Sequence, residues 1–560
     1  GEWYYDASSN IVYLWAPGGD SPSNYTVRGS VYENGIYADS RDYITIRNLE
    51  ILQQSQRSIE VRKCDYLTID NNYISYPDEY GIYDISNSSH NTIENNVITG
   101  ANHYGVYAMM SYSEFSDNKI LDSGLFDNLG KSGVGRYNLG GAVFIAGGEG
   151  NNLIRYNRII NTGYNGIYFA RSNNRIEYNF INYACLLKGD GGGIYTSYAT
   201  DPGPHGSVVR DNIVLNVTGN RVGASGSRAF GEGIYIDESS EDVTVDNNTI
   251  AYCSDAGIYL HDNAGAEVKN NTVMDGRYGI LINVDHGSNT VHNNIFYAFY
   301  EDDYEPNQLL VKRYSDNTSL NYNTYINHYA SSKIFKNSGT YYDFSGWKSA
   351  TGNDANSTID LSPLETGETE KLFYNDTKTS KTISLGTTIY KDIYGKQVTG
   401  SITLEPFTSM ILIKTLNETG SSNQSPVIYD QYIDITEPKM ANDLIGQVIA
   451  SDPDDGQILT YFVIGGNESG MFAINSSNGE IYANTDISFI PDQSIVLEVE
   501  VTDNDDNPLS SSAYVTINIS GLDNEQTTDI TAPVISSFDI PSTSKSLTVS
   551  VLSWGCSDDQ

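Results

Sequence analysis

A short motif repeats along most of residues 41–330 and constrains the fold more than any other feature of the chain. The motif is apolar-x-x-Asn-x-apolar, and its base spacing is 22 to 24 residues. Such a period, built from short β-branched strands and Asn or Gly turns, is typical of solenoid coils that bury their apolar faces only by stacking. The sequence therefore predicts a parallel β-helix, with asparagines hydrogen-bonded along the axis at left-handed turns. The aligned asparagines are Asn48, Asn72, Asn96, Asn118, Asn157, Asn179, Asn212, Asn248, Asn271 and Asn294, with a looser copy at Asn323.

Three consecutive coils carry a second motif, which reads GIYTS at 193–197, GIYIDE at 233–238 and GIYLHD at 257–262. Alternate side chains of a strand face opposite ways, so the Ile and the residue after the Tyr point into the core. The tyrosines and the residues two positions further on point outward. We expect two parallel columns on the outer surface, one of Tyr195, Tyr235 and Tyr259 and one of Ser197, Asp237 and His261.

The coil length increases around these strands, which indicates insertions near 122–140, 182–192, 198–206 and 215–232. Insertions in a solenoid become loops on one face, commonly the binding face. These insertions are comparatively basic, which favours an anionic ligand whose sulfate or carboxylate groups the arginines contact. The alternative is that the cations only balance nearby acids. The basic residues in or beside the insertions are Lys131, Arg136, Arg171, Lys188, His205, Arg210, Arg221 and Arg228.

The composition limits the class of partner. A net charge of −39 argues against nucleic acid and anionic membranes. No apolar run approaches a membrane span, and the opening residues around Trp3 are not those expected of a signal peptide. Four cysteines without a CxxC pair indicate neither a disulfide framework nor a zinc site. The many tyrosines, asparagines and threonines suit a secreted, mature or trimmed β protein, which we expect to be a monomer.

The chain divides into several all-β units, because 560 residues exceed one ordinary core. Alternating strand patterns follow the repeats, and LNETGSSNQS has the composition of a linker. The predicted units are a β-helix with a lead-in and a closing cap at 1–363, a small β-sandwich at 364–416, a linker at 417–425, a second β-sandwich at 426–521, and a linker with the start of a truncated further β domain at 522–560.

Residues 1–363 resemble the right-handed parallel β-helix proteins that bacteria secrete to degrade polysaccharides. The resemblance rests on GEWYYD, the asparagine repeats, LLKGDGGGIYTS, GEGIYIDES and the region around Trp347. It covers about two thirds of the chain and is specific for the fold. It is less specific for the substrate, because this fold hosts hydrolases, lyases and attachment proteins.

Residues 426–521 resemble a cadherin-type repeat, through ITEPKMANDLIGQVIASDPDDGQILTYFVI, NGEIYA and LEVEVTDNDDNP. The resemblance implies a structural calcium site formed by Glu437, Asp452, Asp454 and Asp503. The chain departs from the family pattern upstream, where NQSPVI stands in place of an acidic DxNDN linker. A solvated acidic loop is the alternative.

Glycoside hydrolysis requires two carboxyl groups, one protonated and one ionised. Asp237 is the main candidate, because the strand period places it outward beside His261. Asp190 lies in a glycine-rich loop that permits close approach of a ligand, and Glu238 ends the same strand as Asp237. The predicted catalytic residues are Asp237, Asp190, Glu238 and His261. The predicted substrate-binding residues are Tyr195, Tyr235, Tyr259, Lys188, Glu232, Arg210, Arg221, Arg228 and His205.

We therefore expect a secreted or cell-surface bacterial glycoside hydrolase acting on an anionic glycan, such as a sulfated algal fucan or carrageenan. The first alternative is a polysaccharide lyase, in which Lys188, His261 or Tyr195 is the base and an arginine or calcium neutralises the uronate. The second alternative is a non-catalytic glycan-binding protein or adhesin. No organic cofactor is expected.

Overall fold

The structure is a computed structural model that describes residues 2–6, 8, 11–15, 30, 32–126, 140–197, 205–220, 229–283, 287–298, 309–314, 316–330, 332–415, 423–436, 439–454, 457–467, 469–487, 493–504 and 508–520. These residues are almost entirely β, as the sequence predicted. The lead-in is an antiparallel pair of β1 (Glu2–Asp6) and β2 (Ile11–Trp15). Among the described residues, no helix combines the length and the apolar character needed to cross a bilayer.

The β-helix contains strands β3 to β36. The first seventeen of these are β3 (Asn34–Asp39), β4 (Thr45–Arg47), β5 (Glu50–Leu52), β6 (Arg57–Arg62), β7 (Thr68–Asp70), β8 (Tyr73–Ser75), β9 (Tyr80–Ser89), β10 (Thr92–Glu94), β11 (Val97–Thr99), β12 (Tyr104–Ser111), β13 (Glu114–Ser116), β14 (Lys119–Ser123), β15 (Val143–Ile145), β16 (Leu153–Arg155), β17 (Arg158–Thr162), β18 (Ile167–Phe169) and β19 (Arg175–Glu177). The remaining ones are β20 (Phe180–Ala184), β21 (Gly191–Thr196), β22 (Val208–Arg210), β23 (Ile213–Val217), β24 (Gly231–Ile236), β25 (Thr244–Asp246), β26 (Thr249–His261), β27 (Glu267–Lys269), β28 (Thr272–Asn283), β29 (Asn289–His292), β30 (Ile295–Ala298), β31 (Leu309–Arg313), β32 (Thr318–Asn321), β33 (Thr324–Asn327), β34 (Phe335–Asn337), β35 (Thr340–Tyr342) and β36 (Thr358–Asp360).

Apart from β35, which pairs antiparallel with β34, these strands form three faces, each a column of parallel strands from successive coils. The first face has eleven strands, which start at β4 and end at β32. The second face runs from β5 through β8, β20 and β23 to β36, and the third from β3 through β6, β21 and β24 to β34. β26 and β28 are long enough to continue from the second face onto the third. The Gly-Ile-Tyr strands all belong to the third face.

The asparagine ladder lies at the corner between the first and second faces. Nine consecutive side-chain amides, from Asn72 to Asn294, each donate to the amide oxygen of the next rung at 2.9–3.1 Å. Two details of the prediction were wrong. Asn48 bonds to Asn71, one residue off the ladder, and Leu49 occupies the ladder position. The left-handed residue is the one before each ladder asparagine, with φ of 52–59°.

The core of the solenoid is a continuous column of Ile, Val, Leu and Phe side chains from all three faces. Such a column is the expected result of inward residues repeating at one position in each coil. At its C-terminal end, the helix α1 (Phe344–Thr351) inserts the fully buried Trp347 into this core. Asp343 caps the helix by accepting a hydrogen bond from Gly346 N at 2.7 Å.

Residues 364–415 form one antiparallel sheet in the order β37, β40, β38, β39. Its members are β37 (Thr369–Tyr374), β38 (Lys381–Asp392), β39 (Gln397–Leu404) and β40 (Ser409–Lys414). Leu372, Phe407 and Ile411 of this unit pack against outward apolar residues of the second face, including Ile213 and Met274. The layer opposite this sheet is thus the β-helix itself, where the sequence suggested a second sheet of a sandwich.

The last described unit has an apolar core of its own. It contains sheets in the orders β42–β49–β48–β45 and β43–β47–β46, and the pair β41–β44. Its strands are β41 (Val427–Ile428), β42 (Gln431–Ile435), β43 (Leu444–Gln447), β44 (Ala450–Ser451), β45 (Thr460–Gly465), β46 (Phe472–Ile474), β47 (Glu480–Ala483), β48 (Gln493–Thr502) and β49 (Ser510–Ile519).

Candidate functional site

An aromatic column follows the outside of the third face. Its rings lie in register on successive strands, with centroids 4.4–5.6 Å apart. The outward orientation predicted for Tyr195, Tyr235 and Tyr259 is therefore present, with their neighbouring isoleucines in the core. Three of the six successive ring pairs are stacked and three are tilted, and within this column Tyr235 is only 3% exposed. Most ring faces are covered, which limits sugar stacking on them. The column consists of Tyr83, Tyr107, Phe144, Tyr168, Tyr195, Tyr235 and Tyr259.

Asp237 lies directly after β24 and is held by groups from both neighbouring coils. The Tyr195 hydroxyl donates to its Oδ2 at 2.8 Å, and His261 Nδ1 lies 2.6 Å from its Oδ1. Both contacts follow from the strand register, which aligns Tyr195 with Tyr235 and places His261 one coil further along. Asp237 is 9% exposed, so this hydrogen-bonded Tyr–Asp–His group is partly shielded from water. The sequence predicted the Asp237–His261 contact but not the hydroxyl bond.

His261 is half-buried against the aromatic column. Its ring centroid lies 5.3 Å from that of Tyr259, and its Nδ1 is 3.5 Å from the Tyr235 hydroxyl. The hydrogen bond to Asp237 raises the pKa of His261, although burial opposes this change. Because Nδ1 contacts Asp237, the other ring nitrogen of His261 is the one available to a ligand in the cleft.

Asp190 is brought to the same cluster by the insertion that precedes β21. Tyr164 fixes this loop by donating its hydroxyl to the Asp190 carbonyl at 2.6 Å. Desolvation, followed by repulsion from Asp237, raises the pKa of the Asp190 carboxyl. The backbone at Asp190 is left-handed, with φ of 60°. A side chain at Gly191 would come within 2.5 Å of Tyr164, so a glycine is required there.

Two of the predicted substrate-binding residues are buried. Lys188 is 4% exposed, and desolvation lowers the pKa of its ammonium group to about 8. Glu232 is fully buried, opposite Gly192 in the register of β21 and β24. Desolvation and the charge of Asp237 contribute most to the raised pKa of Tyr235, and the charge of Glu232 adds to this effect. Neither side chain lies on an exposed wall, where the sequence placed both.

Other predicted site residues lie elsewhere or on its rim. Arg210 is on the first face, where its Nε contacts Glu177 at 2.9 Å, so its assignment to the cleft was wrong. His205 lies 3.2 Å from Glu241, past the turn that follows Asp237. Glu238 is exposed, yet its charge contributes to the raised pKa of Asp190. Arg221 and Arg228 lie outside the described residues, as do Lys131 and Arg136.

Sequence reasoning missed three residues that extend the polar network. Asn283 is aligned with His261 and donates to the Tyr259 hydroxyl at 3.2 Å. Below the column, Arg277 Nη1 lies 3.6 Å from the buried Asp255. The GILIN strand at 279–283 has the same spacing as GIYLH at 257–261. Aligning the two segments by position places Asn283 in the outward place of His261, which would have identified it from the sequence.

Comparison with known proteins agrees with this architecture. A family described as "Right handed beta helix region" matches residues 10–135, 79–229 and 215–346, which together span more than half of the chain. The chain belongs to the right-handed β-helix family. A cadherin domain matches residues 431–520 of this β-helix protein. The asparagine repeats and the cadherin-like strands therefore mark two distinct modules.

The individual relatives are distant. Protocadherin Fat 2 of Mus musculus is 29% identical over 107 residues, or 18% of this chain, and the Rattus norvegicus protein gives the same values. The β-helix protein spans about 2% of the length of these protocadherins. Among solved structures, the match to the Dettilon tailspike protein covers 84% of this chain and 84% of that protein's chain. Its sequence identity is 13% and its TM-score is 0.34. The match to the third cadherin domain of human protocadherin 7 covers 99% of that domain and 20% of this chain. Its sequence identity is 20% and its TM-score is 0.17.

The cadherin domain of the β-helix protein contains a partial carboxylate cluster. Asp452, Asp454 and Asp503 lie close enough that their charges raise the pKa of Asp452, after the larger effect of desolvation. Asp452 Oδ2 is buried and accepts no hydrogen bond, and a carboxylate oxygen of this kind is chemically suited to coordinate a hard cation. Asp503 accepts from Asn423 Nδ2 at 3.1 Å and Asp454 from Gln424 N at 2.6 Å. Glu437 lies outside the described residues, within which no complete metal-binding group of three occurs. The calcium site that the resemblance implies therefore stays a prediction.

Proposed function

We propose that this β-helix protein is a secreted bacterial enzyme that hydrolyses a polysaccharide on its third face. The observation that carries the proposal is the cluster of Asp237, Asp190 and His261, which three separate coils bring together beside an aromatic column. Buried and mutually coupled ionisable groups in a loop-walled cleft are typical of active sites. An anionic glycan such as a sulfated fucan or carrageenan is the proposed substrate, with Lys188 as the nearby described cation.

Asp190 is the proposed general acid. Desolvation and the repulsion of Asp237 raise its pKa, so it keeps its proton to higher pH and can transfer it to the leaving oxygen. Asp237 is the proposed base or nucleophile, since the Tyr195 hydroxyl and His261 hold both its oxygens in place. Glu238 on the rim contacts the substrate and adds to the negative potential around Asp190.

Elimination is the second candidate, and the Asp237–His261 contact favours it. A carboxylate that accepts from one imidazole nitrogen orients the other nitrogen as a general base. In this reaction His261 would remove the proton beside a uronate, and the partly desolvated Lys188 would neutralise the carboxylate. A glycan-binding protein without catalysis is the third candidate, because the fold hosts such proteins.

The deciding experiment is incubation of the purified chain with sulfated, uronic and neutral polysaccharides. New reducing ends without ultraviolet absorbance indicate hydrolysis, and both together indicate elimination. Retention on a glycan with neither product indicates the binding protein.

Asp237→Asn should abolish turnover while circular dichroism stays unchanged. The matched control is Asp242→Asn, the same chemical change on an exposed residue of the same coil, at a left-handed position that Asn tolerates. Full activity in Asp237→Asn would refute the site.

A further inference from the structure

A second ladder of rings lies away from the third-face column, at the corner between the third and first faces. Tyr43, Tyr66, His90 and Tyr112 occupy the same left-handed position in four successive coils, with φ of 50–59°. Their rings stack nearly parallel, at centroid distances of 4.9, 5.0 and 5.5 Å. Each tyrosine is 45–47% exposed, unlike the buried Tyr235.

This ladder stops abruptly after Tyr112. The backbone bond from Tyr112 N to Gly150 O repeats the pattern of the earlier rungs and identifies Asn151 as the next position. Asn151 and the following rung, Asn173, keep the left-handed conformation with φ of 57° and 56° but carry short side chains. The ring of Tyr112 therefore stacks on His90 with one face and has no aromatic rung against the other.

A surface groove of about 510 Å³ lies at this end of the ladder. Tyr112, His90 and Asn151 line one side of it, and Thr92, Glu114 and Leu153, in register on the first face, line the other. The groove is shallow and largely open to solvent. It combines a ring face, an aliphatic side chain and hydroxyl, amide and carboxylate groups, which is the pattern that a sugar ring requires.

We infer that this groove binds a pyranose ring of a glycan, stacked on Tyr112 as the fifth rung of the ladder. Stacking uses the apolar face of the sugar, and the polar groups of Thr92, Asn151 and Glu114 bond its hydroxyls. The Tyr112 hydroxyl donates to Glu149, which fixes the ring orientation in advance. Pre-organised aromatic groups lower the entropic cost of binding.

The charges near the groove select an uncharged sugar. Glu149 contacts the Tyr112 hydroxyl, and Glu114 faces the groove with its carboxylate 2.9 Å from Arg155. Arg155 neutralises Glu114, so among the described residues it is the charge of Glu149 that would repel a sulfate or uronate placed beside the Tyr112 hydroxyl. The site therefore differs in charge preference from the proposed catalytic cleft. It also lies four coils from Asp237, about 19 Å along the axis at the usual strand spacing.

The ladder itself supplies variants that preserve the backbone. Tyr112→Asn introduces the residue found at the next two rungs, and Asn151→Tyr extends the ladder over the Tyr112 face and fills the groove. Tyr43→Asn is the matched control, because it makes the same change three rungs away from the groove. Circular dichroism and the melting temperature verify that each variant folds.

Affinity gel electrophoresis in laminarin, xylan and galactomannan, all uncharged or nearly so, tests the inference. We expect retardation by at least one of them, weakened roughly fivefold or more in Tyr112→Asn and in Asn151→Tyr, and unchanged in Tyr43→Asn. Retardation by none of the three, or equal retardation of wild type and both groove variants, would overturn it. Because this binding needs no turnover, loss of activity in Asp237→Asn leaves the result unaffected, so the two proposals fail separately.

Discussion

Removing one rung of the asparagine ladder should destabilise the β-helix far more than removing the adjacent surface asparagine. The Asn271 side chain donates to Val245 O at 2.9 Å, to Lys269 O at 2.8 Å and to the Asn294 amide oxygen at 2.9 Å. Its own amide oxygen accepts from the backbone and the side chain of Asn248, both at 2.9 Å. The two hydrogens of the Asn271 amide are shared among its three acceptors, so Asn271→Ala removes about four hydrogen bonds at a position that is 1% exposed.

The expected loss follows from the cost of buried groups without partners. A net hydrogen bond is worth about 1 kcal/mol, and a buried group left unsatisfied costs about 1–3 kcal/mol. Water entering the vacated space recovers part of this. We therefore expect Asn271→Ala to lower the free energy of unfolding by about 3–5 kcal/mol.

The control for this prediction is Asn270→Gly. Asn270 is exposed, has φ of 56° and makes one side-chain bond, to Asp246 at 2.7 Å. Glycine keeps the left-handed backbone, so the loss should stay below about 1 kcal/mol. Urea denaturation followed by circular dichroism gives both values, and hydrogen exchange should quicken at the Asn248 amide in Asn271→Ala. Equal urea midpoints for the two variants would show that the ladder does not stabilise the fold.

Three further changes test other parts of the structure. Burial raises the pKa of Asp84 to about 7. The folded protein therefore holds this proton to higher pH than the unfolded chain does, so the free energy of unfolding should fall as the pH rises from 5 to 8. Asp84→Asn should remove about 2–3 kcal/mol of that fall, as measured by urea titrations at each pH. Ile411→Asp places a charge in the contact between the small sheet and the second face, and should lower the melting temperature and speed proteolysis near residue 364. Trp347 and Tyr325 donate to different oxygens of Asp354, so Asp354→Asn turns an NH2 group toward one of the two donors and should cost about 2–3 kcal/mol of unfolding free energy.

The sequence was sufficient for the fold because the repeat is a physical requirement of the solenoid. Inward isoleucines and buried asparagines must recur once in each coil, and both do so visibly. The register of the ladder was harder to assign in coils that lack one of the two consecutive polar residues. Most coils carry an Asn or Asp at the left-handed position followed by the ladder Asn, whereas the first coil has only Asn48. A single asparagine fits either position, so its assignment to the ladder was ambiguous by one residue.

The sequence predicted those parts of the candidate site that strand register determines. It did not predict the parts that depend on loop conformation or on the face to which a strand belongs. Asp237 and His261 follow Gly-Ile-Tyr strands in adjacent coils, and their contact is a direct consequence of parallel pairing. Arg210 is the last residue of a strand, but that strand belongs to the first face. Proximity to an insertion in sequence does not show on which of three faces a residue lies. The second ladder was missed because its rungs mix Tyr and His at a backbone conformation that usually favours Asn or Gly.

Coverage of the aromatic column determines how the proposed cleft can recognise a glycan. The rings from Tyr83 to Tyr259 pack in succession, some stacked and some tilted, so their faces are largely occupied by neighbouring rings. At Tyr195 the hydroxyl is already used by Asp237, and at Tyr259 it accepts from Asn283. The column thus acts mainly as a rigid support that fixes Asp237 and His261. Ring-face stacking is left to Tyr112, where the second ladder ends, so sugar stacking and bond cleavage are expected to depend on separate parts of the solenoid.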